Sequence, residues 1–351
     1  MKTIALQILA VLGISLRFLS TPAEAASSPE LAVYRGADRQ ARLEKAAKAE
    51  GEFVWYTSVN DDDIRRVVEL FEKRYPFIKA KPVRLTSARI VQRFTAESQA
   101  NAFLADILDT NDSRIEFFRR KGMIQPYYTP MAEQFDKRFV QAQGYWVANR
   151  VTMLVLGYNT RLVKAADAPR RYEDLLDPKW KDQLALERED SPWFMTLMEH
   201  WGEQKGRAFF QRLKAQNPKI RSGHTHLAQL IGAGEDPLSP NIHSQGMATG
   251  QRRGAPVDWL NLEPVVASSN VSALAKNAPH PNAALLFLDF ILAKETGQRV
   301  IREVSRIPTH PEVLPNPPRL REGFDFINVD PVKFNDKIDH YTKLWHEWFL
   351  Q

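Results

Sequence analysis

The sequence contains no cysteine among its 351 residues. This absence excludes disulfide bonds, zinc–thiolate sites, iron–sulfur clusters and cysteine nucleophiles, and it also excludes the cysteine that carries a lipid anchor. A chain of this length can bury a core large enough to fold without disulfide bonds, even in an oxidising compartment. We therefore expect a globular protein without a lipid anchor and without a cofactor.

The sequence also lacks the motifs by which common enzyme classes are recognised. No G-x-S-x-G, H-E-x-x-H or P-loop pattern occurs, which argues against a serine hydrolase, a zinc protease and a nucleotide-hydrolysing enzyme. Glu187, Glu189 and Asp190 form an acidic group, but their spacing does not place two carboxylates on opposite sides of a bond. We therefore predict a protein that is not an enzyme.

Charge is not concentrated in any one region of the chain. The formal net charge is +6, from 48 basic and 42 acidic residues that are interspersed along the sequence. There is no basic stripe with interleaved aromatic residues, which is typical of nucleic-acid-binding surfaces. We therefore expect no nucleic-acid partner, and the small positive excess favours an anionic ligand or surface.

The N-terminus has the pattern of an export signal. A positively charged start precedes the almost wholly apolar run Thr3–Leu16, and small residues at Ala23 and Ala25 mark a cleavage site before Ala26. The apolar run is shorter than the about 20 residues that cross a bilayer. We predict a signal peptide of residues 1–25, cleaved near Ala25/Ala26, and a soluble monomer exported to the periplasm.

The first part of the mature chain alternates between two hydrophobic periods. A helix is predicted near Arg39–Glu50, and Asp62–Tyr75 has apolar residues at helical spacing. Strands are predicted at Phe53–Val59, Lys81–Leu85 and Ala105–Leu108. Strands that alternate with helices favour an α/β fold with a parallel sheet.

The rest of the chain continues this mixed pattern. Val151–Tyr158 is an apolar run typical of a buried strand, and Asp258–Val266 is predicted to be extended. Asn282–Ala293 and the terminal segment Pro331–Phe349 are predicted helices. The length favours about two domains. No flexible linker divides the chain, so we expect two domains to be joined by extended strands.

Several of these segments together resemble the periplasmic iron(III)/organic-solute branch of the extracellular solute-binding proteins of ABC importers. The most specific is LGYNTRLVKAADAPRRYEDLLDPKWKDQLAL. The others are FVWYTSVNDDDIRRVVELFEKRYPFIK, SGHTHLAQLIGAGE, GAPVDWLNLEPVV, LAKNAPHPNAALLFLDFILAKETGQ and SRIPTHPEV. The resemblance covers nearly all of residues 50–315, with the segments in the family's order.

The resemblance implies a two-lobed periplasmic-binding-protein fold of type II. Each lobe would be a mostly parallel sheet flanked by helices, and two crossover strands would join the lobes. Lobe one would comprise residues 27–153 and 266–351, and lobe two residues 154–265. The resemblance further implies that a small-molecule ligand binds in the cleft and is delivered to an ABC permease in the inner membrane. A ligand-sensing partner of a membrane receptor is an alternative with the same fold.

Ligands of open α/β sheets bind beyond the carboxyl ends of the strands, close to helix N-termini. In lobe one, the loops that follow the predicted strands supply the candidates Thr57, Ser58, Ser87, Arg89, Asp109 and Asn111. Arg89 stands at a predicted helix start, where the helix dipole disfavours a cation, so an anionic partner would explain it. Simple helix capping is the alternative for the hydroxyl and acidic residues.

In lobe two, the segments that precede predicted helices supply Ser191 and Thr225, and the segment Asn241–Gln245 supplies His243. We expect all three to reach the ligand when the lobes close. The iron-binding members of the family carry adjacent tyrosines where this chain has Asn241–Gln245. Ferric iron prefers phenolate and carboxylate oxygens, so we predict a small organic or phosphorylated anion, with ferric iron as the alternative. A divalent metal at His224, His226 and His243 is a further alternative.

Overall fold

The computed structural model describes residues 30–350, so the predicted signal peptide lies outside the described residues. The strands are β1 (Glu52–Thr57), β2 (Lys79–Arg84), β3 (Ile107–Asn111), β4 (Ile124–Gln125), β5 (Val147–Asn159), β6 (Ala185–Glu187), β7 (Lys219–Arg221), β8 (Leu238–His243), β9 (Val257–Leu260), β10 (Val265–Ala275), β11 (Ile307–Pro308) and β12 (Phe326–Asn328). The α-helices are α1 (Arg39–Glu50), α2 (Asp61–Arg74), α3 (Ser87–Gln99), α4 (Asp112–Arg120), α5 (Ser191–Trp201), α6 (Glu203–Ala215), α7 (His224–Ala233), α8 (Ser244–Arg252), α9 (Pro281–Leu292), α10 (Arg299–Glu303) and α11 (Pro331–Phe349). Within this part of the chain, no helix combines the length and apolar character needed to cross a bilayer.

The first lobe is built on a sheet in the order β2-β1-β3-β10-β5-β11. β1 pairs in parallel with β2 and with β3, as the alternation of strands and helices predicts. β10 runs antiparallel to β3 and to β5, so the sheet is mixed. The aromatic rings of Phe53 and Trp55 on β1 pack against Phe287 of α9 at centroid distances of 5.0 and 4.9 Å, which covers one face of the sheet.

Two long strands, β5 and β10, connect the lobes. The first half of β5 pairs with β10 and β11 in lobe one, and its second half pairs with β8 and β9 in lobe two. The predicted strand Val151–Tyr158 lies within β5, and β10 begins at Val265. The fold is therefore the expected one, with two lobes joined by two crossover strands.

The second lobe has its own small sheet and core. β8 and β9 run antiparallel to β5, β6 runs parallel to β7, and Leu184 bridges to Leu238. A separate apolar cluster fills this lobe around Tyr172, Trp193 and Phe210. The separate sheet of lobe two is therefore the parallel pair β6 and β7, while β8 and β9 extend the large sheet through β5.

The C-terminal helix α11 packs differently from the prediction. Residues 266–351 were expected to belong to lobe one, but the apolar side chains Phe334, Tyr341, Trp345 and Phe349 lie in the apolar cluster of lobe two. The same helix also packs against α4 of lobe one. The amphipathic pattern predicts the helix, but it does not specify which lobe receives the apolar face. The division of the chain into lobes otherwise stays a prediction.

Side-chain caps start three lobe-one helices directly after strands or short turns. Asn60 accepts a hydrogen bond from the Asp63 N–H at 3.0 Å, which starts α2. Thr86 accepts from the Arg89 N–H at 3.3 Å and starts α3, and Asn111 accepts from the Arg114 N–H at 3.1 Å and starts α4. Each cap satisfies one of the free N–H groups of a first helical turn. Since β1, β2 and β3 are parallel, the helices that follow them begin at the same edge of the sheet.

Candidate ligand-binding cleft

A cleft of about 1150 Å³ lies between the two lobes. Residues at the N-termini of α2, α3 and α4 line it from lobe one, and residues at the N-termini of α5, α7 and α8 line it from lobe two. The first turn of a helix leaves backbone N–H groups without intrahelical acceptors, and the helix dipole adds partial positive charge there. Six helices that begin at one cleft therefore make it suited to an anionic ligand.

Most of the predicted ligand residues line this cleft. They are Ser58, Ser87, Asp109, Asn111, Ser191, Thr225 and His243. They lie near the ends of strands or at the starts of helices, as the general position of ligands in α/β folds leads us to expect. Their contact with a ligand stays a prediction.

Two predicted residues, Thr57 and Arg89, do not line the cleft. The Thr57 side chain is fully buried beneath it, where its hydroxyl accepts from the Val59 N–H at 3.1 Å and so serves the local turn. Arg89 is exposed beside Arg93 on the outer side of α3. Residues two apart on a helix face different directions, so Ser87 faces the cleft and Arg89 does not. The sequence predicts the helix start, but it does not specify the direction in which this guanidinium points.

Asp109 forms an ion pair with Arg150 at the junction of β3, β5 and β10. Its Oδ1 accepts from Arg150 Nη2 at 2.8 Å, and its Oδ2 accepts from the Ser272 hydroxyl at 2.6 Å and from Asn149 Nδ2 at 3.2 Å. The Asp109 carboxylate therefore has several partners within the protein. Arg150 lines the cleft, although it lies in a strand whose apolar character gives no signal for a ligand residue.

The cleft is also lined by further arginines, which the sequence pattern does not indicate as ligand residues. Arg306 pairs with Asp63 at 2.8 Å, and Arg188 Nε donates to the Ser222 hydroxyl at 3.2 Å. Within residues 30–350, the guanidinium groups of Arg84 and Arg114 form no ion pair and no hydrogen bond.

Sequence position offers a partial signal for these two unpaired arginines. Arg84 is the last residue of β2, and Arg114 lies three residues after the cap Asn111, on the same side of α4. Both therefore stand where a ligand of an α/β fold is expected, and both leave positive charge on the lobe-one wall.

The lobe-two wall carries a connected group of carboxylates. Glu187 accepts from the Gly223 N–H at 2.8 Å, and Asp190 accepts from Asn241 Nδ2 at 2.7 Å. His224 Nε2 lies 3.2 Å from Asp190 Oδ1. Burial, with the added charge of Asp190, raises the pKa of Glu187. The two walls thus have different chemistry, with unpaired guanidinium groups on lobe one and hydrogen-bond acceptors on lobe two.

His224 and His243 form a stacked pair between α7 and α8. Their ring centroids are 3.4 Å apart and the ring planes differ by 17°. Burial opposes protonation of His224, yet Asp190 raises its pKa. Burial, and then the charge of His224 and Arg306, lower the pKa of His243 well below its ordinary value. The two shifts run in opposite directions, so a proton on this pair is favoured on His224 over His243.

The arrangement of these histidines is unfavourable for the predicted three-histidine metal site. A metal ion lies in the plane of each imidazole that binds it, and two parallel stacked rings do not share such a position. A different set of atoms, from Glu187, Asp190 and His224, lies within 4.8 Å of one another and has the spacing of metal ligands. Among the described residues, no tyrosine lines the cleft, so phenolate ligands are absent from its walls.

Two lobes, two crossover strands and a cleft ringed by helix N-termini define a solute-binding protein of the periplasmic-binding-protein fold. The family model of the bacterial extracellular solute-binding proteins matches residues 103–333. The chain belongs to this family.

Similar proteins agree with this assignment. The chain is 21% identical over 268 residues to an Fe(3+)-binding periplasmic protein of Serratia marcescens. The aligned residues cover 71% of this chain and 75% of that protein. Its fold is similar to that of the periplasmic binding protein AfuA from Actinobacillus pleuropneumoniae, with exogenous fructose-6-phosphate bound (TM-score 0.74, 21% identity, 86% of this chain and 99% of that one). It is also similar to the ferric binding protein from Campylobacter jejuni (TM-score 0.73, 16% identity, 84% and 98%).

Proposed function

We propose that this protein is the periplasmic substrate-binding component of an ABC importer and that its ligand is a phosphorylated organic anion. The observation that carries the proposal is the convergence of six helix N-termini with the unpaired guanidinium groups of Arg84 and Arg114. Backbone N–H groups and guanidinium groups are strong hydrogen-bond donors to phosphate oxygens. The lobe-one wall supplies both kinds of donor.

The lobe-two wall supports a ligand that also carries hydroxyl or amino groups. Glu187 and Asp190 are acceptors for such groups, and the exposed hydroxyl of Thr225 can donate or accept. A phosphorylated sugar combines these features, and the fold relative AfuA was solved with fructose-6-phosphate bound. A phosphorylated sugar is therefore the first ligand to test.

Binding would proceed by closure of the lobes about β5 and β10. In the open form, Ser58, Ser87 and Asn111 meet the phosphate together with the unpaired arginines. Closure then adds Ser191, Thr225 and His243 from lobe two and excludes water, and the ligand stabilises the closed form because only that form offers both walls. The chain itself binds and releases its ligand without chemical conversion.

Ferric iron is the second candidate ligand. The Serratia marcescens relative is an Fe(3+)-binding periplasmic protein, and the ligand atoms of Glu187, Asp190 and His224 lie within 4.8 Å of one another. The carboxylates suit a hard cation. Against iron, Asp190 and Glu187 are already hydrogen-bonded within the protein, and the guanidinium groups of Arg84 and Arg114 line the same cleft.

The proposal includes export, a permease partner and a monomeric state. The signal pattern of residues 1–25 supports export to the periplasm, where the closed form would dock on a membrane permease whose ATPase would drive release. Capture of a ligand for a membrane sensor would use the same cleft. A permease that imports the ligand only when this protein is present distinguishes transport from sensing.

A thermal-shift screen of the mature protein tests the ligand class. A ligand that binds only the folded state raises the melting temperature. We expect fructose 6-phosphate or glucose 6-phosphate to raise it and the unphosphorylated sugars to leave it unchanged. A shift with ferric citrate, and with no phosphorylated compound, would support the iron candidate instead.

A further inference from the structure

The first turns of α11 are bound to the lobe-one wall of the cleft. Arg120 on α4 pairs with Asp336 at 2.7 Å and donates to the carbonyl of Val332 at 2.8 Å. Asn335 Nδ2 donates to the carbonyl of Ser113 at 2.8 Å. Ser113 lines the cleft, so α11 contacts the residues that present the N-terminus of α4.

The later turns of α11 hold a loop of the lobe-two wall, residues 187–191. Trp345 Nε1 donates to the carbonyl of Arg188 at 2.6 Å, and the hydroxyls of Thr342 and Ser191 lie 3.4 Å apart. The Trp345 ring is fully buried and packs 5.5 Å from the ring of Phe194. Buried on all sides, the indole fixes the position of its N–H and of the carbonyl that accepts from it.

We propose that Trp345 is a positioning residue for the ligand loop 187–191. This inference rests on the proposed function in that the loop is taken to face the ligand. The loop is restrained from the sheet side by the Arg188 N–H, which donates to the Arg221 carbonyl at 2.8 Å. The Trp345 hydrogen bond restrains the same residue from the opposite side. Together they aim Glu187 and Asp190 into the cleft.

Hydrogen–deuterium exchange of the ligand-free protein tests this role with two matched variants. Trp345→Phe keeps a buried ring but removes the donor. Trp348→Phe makes the same change three residues on, where the structure gives the indole N–H no hydrogen bond within residues 30–350. We expect the amides of 188–191 to exchange at least about fivefold faster in Trp345→Phe, with the lobe-two core and the Trp348→Phe protein unchanged.

Equal exchange of 188–191 in wild type and Trp345→Phe overturns the proposal, and so does faster exchange spread evenly over the lobe-two core. If Trp345→Phe does not fold, Thr342→Val is judged by the same criterion, because it removes the second contact to the loop. Affinity for fructose 6-phosphate is measured in parallel and should fall about tenfold in Trp345→Phe. If the wild type does not bind this probe, the proposed ligand fails while the exchange result still decides the positioning role.

Discussion

Arg150 and Asp109 form an ion pair where the two crossover strands meet the lobe-one sheet, with 2.8 Å between Nη2 and Oδ1. The side chains are 13% and 1% exposed, so the pair is largely removed from water. Arg150 lies on β5 and Asp109 on β3, while β10 adds the Ser272 hydroxyl to the same carboxylate. The base of the cleft is therefore fixed by a polar network that links β3 to the two crossover strands.

Removal of the buried carboxylate should destabilise the protein strongly. Asp109→Ala leaves the Arg150 charge without its partner, and we expect a loss of about 3–5 kcal/mol in the free energy of unfolding. Urea unfolding followed by circular dichroism measures the loss. The double variant Asp109→Ala/Arg150→Met should recover a large part of it. A single variant as stable as wild type would contradict the role of the pair.

The lobe-one arginines should control affinity for an anion. Arg114→Ala and Arg84→Ala each remove a guanidinium group that faces the cleft, and we expect each to weaken fructose 6-phosphate at least about tenfold, or about 1.4 kcal/mol. Arg89→Ala is the matched control, because Arg89 lies outside the cleft. Titration calorimetry compares the three variants. Equal losses in all three would mean that net charge, and not position, decides binding.

Asp112 should make stability depend on pH. Burial raises the pKa of this carboxyl from 3.8 to about 7. The pKa of Asp112 is thus higher in the folded state than in the unfolded state. The contribution of the protonated carboxyl to stability is therefore complete below about pH 4 and is lost as the pH rises towards 7. Asp112→Asn should therefore be more stable than wild type at pH 8, by at most about 4 kcal/mol, and similar to it at pH 4. A variant that is less stable at both pH values would contradict this account.

His243 should have the opposite effect and lower the free energy of unfolding as the pH falls. Its pKa is lowered well below the ordinary 6.5 by burial and then by His224 and Arg306. A depressed folded-state pKa gives a contribution that is present above pH 6.5 and is lost as the pH falls below it. We expect His243→Gln to lose less unfolding free energy between pH 7 and pH 5 than wild type. The exposed His226 provides the control as His226→Gln, and identical profiles for all three proteins would refute the effect.

Local signals in the sequence predict much of the fold. The spacing of apolar residues gives α1 at Arg39–Glu50, and the apolar run Val151–Tyr158 gives most of β5. Polar residues between a strand and a helix pattern give the starts of α2 and α3 at the cleft. These features depend on residues close together in the chain. The side of the molecule on which a terminal helix packs depends instead on residues far apart in the chain. For this reason the sequence does not predict that α11 packs on both lobes.

The chemistry of the cleft is only partly predictable for the same reason. Ser87 and Arg89 are two residues apart, so a single helical turn decides that one faces the ligand and the other solvent. Asp109 looks like a free carboxylate in the sequence, but its partner Arg150 is 41 residues away. The stacking of His224 on His243 joins two helices across the lobe. Such pairs are formed by tertiary packing, so the residues near each member in the sequence do not predict its partner.

The most direct test of the account is calorimetric titration of the mature protein with fructose 6-phosphate and with fructose, at the same salt concentration. The two ligands differ only in the phosphate that the six helix N-termini and the unpaired arginines are proposed to bind. We predict at least about 100-fold tighter binding of the phosphorylated sugar, or about 2.7 kcal/mol. Equal affinity for the two, or tight binding of ferric citrate alone, would contradict a cleft built for a phosphorylated anion.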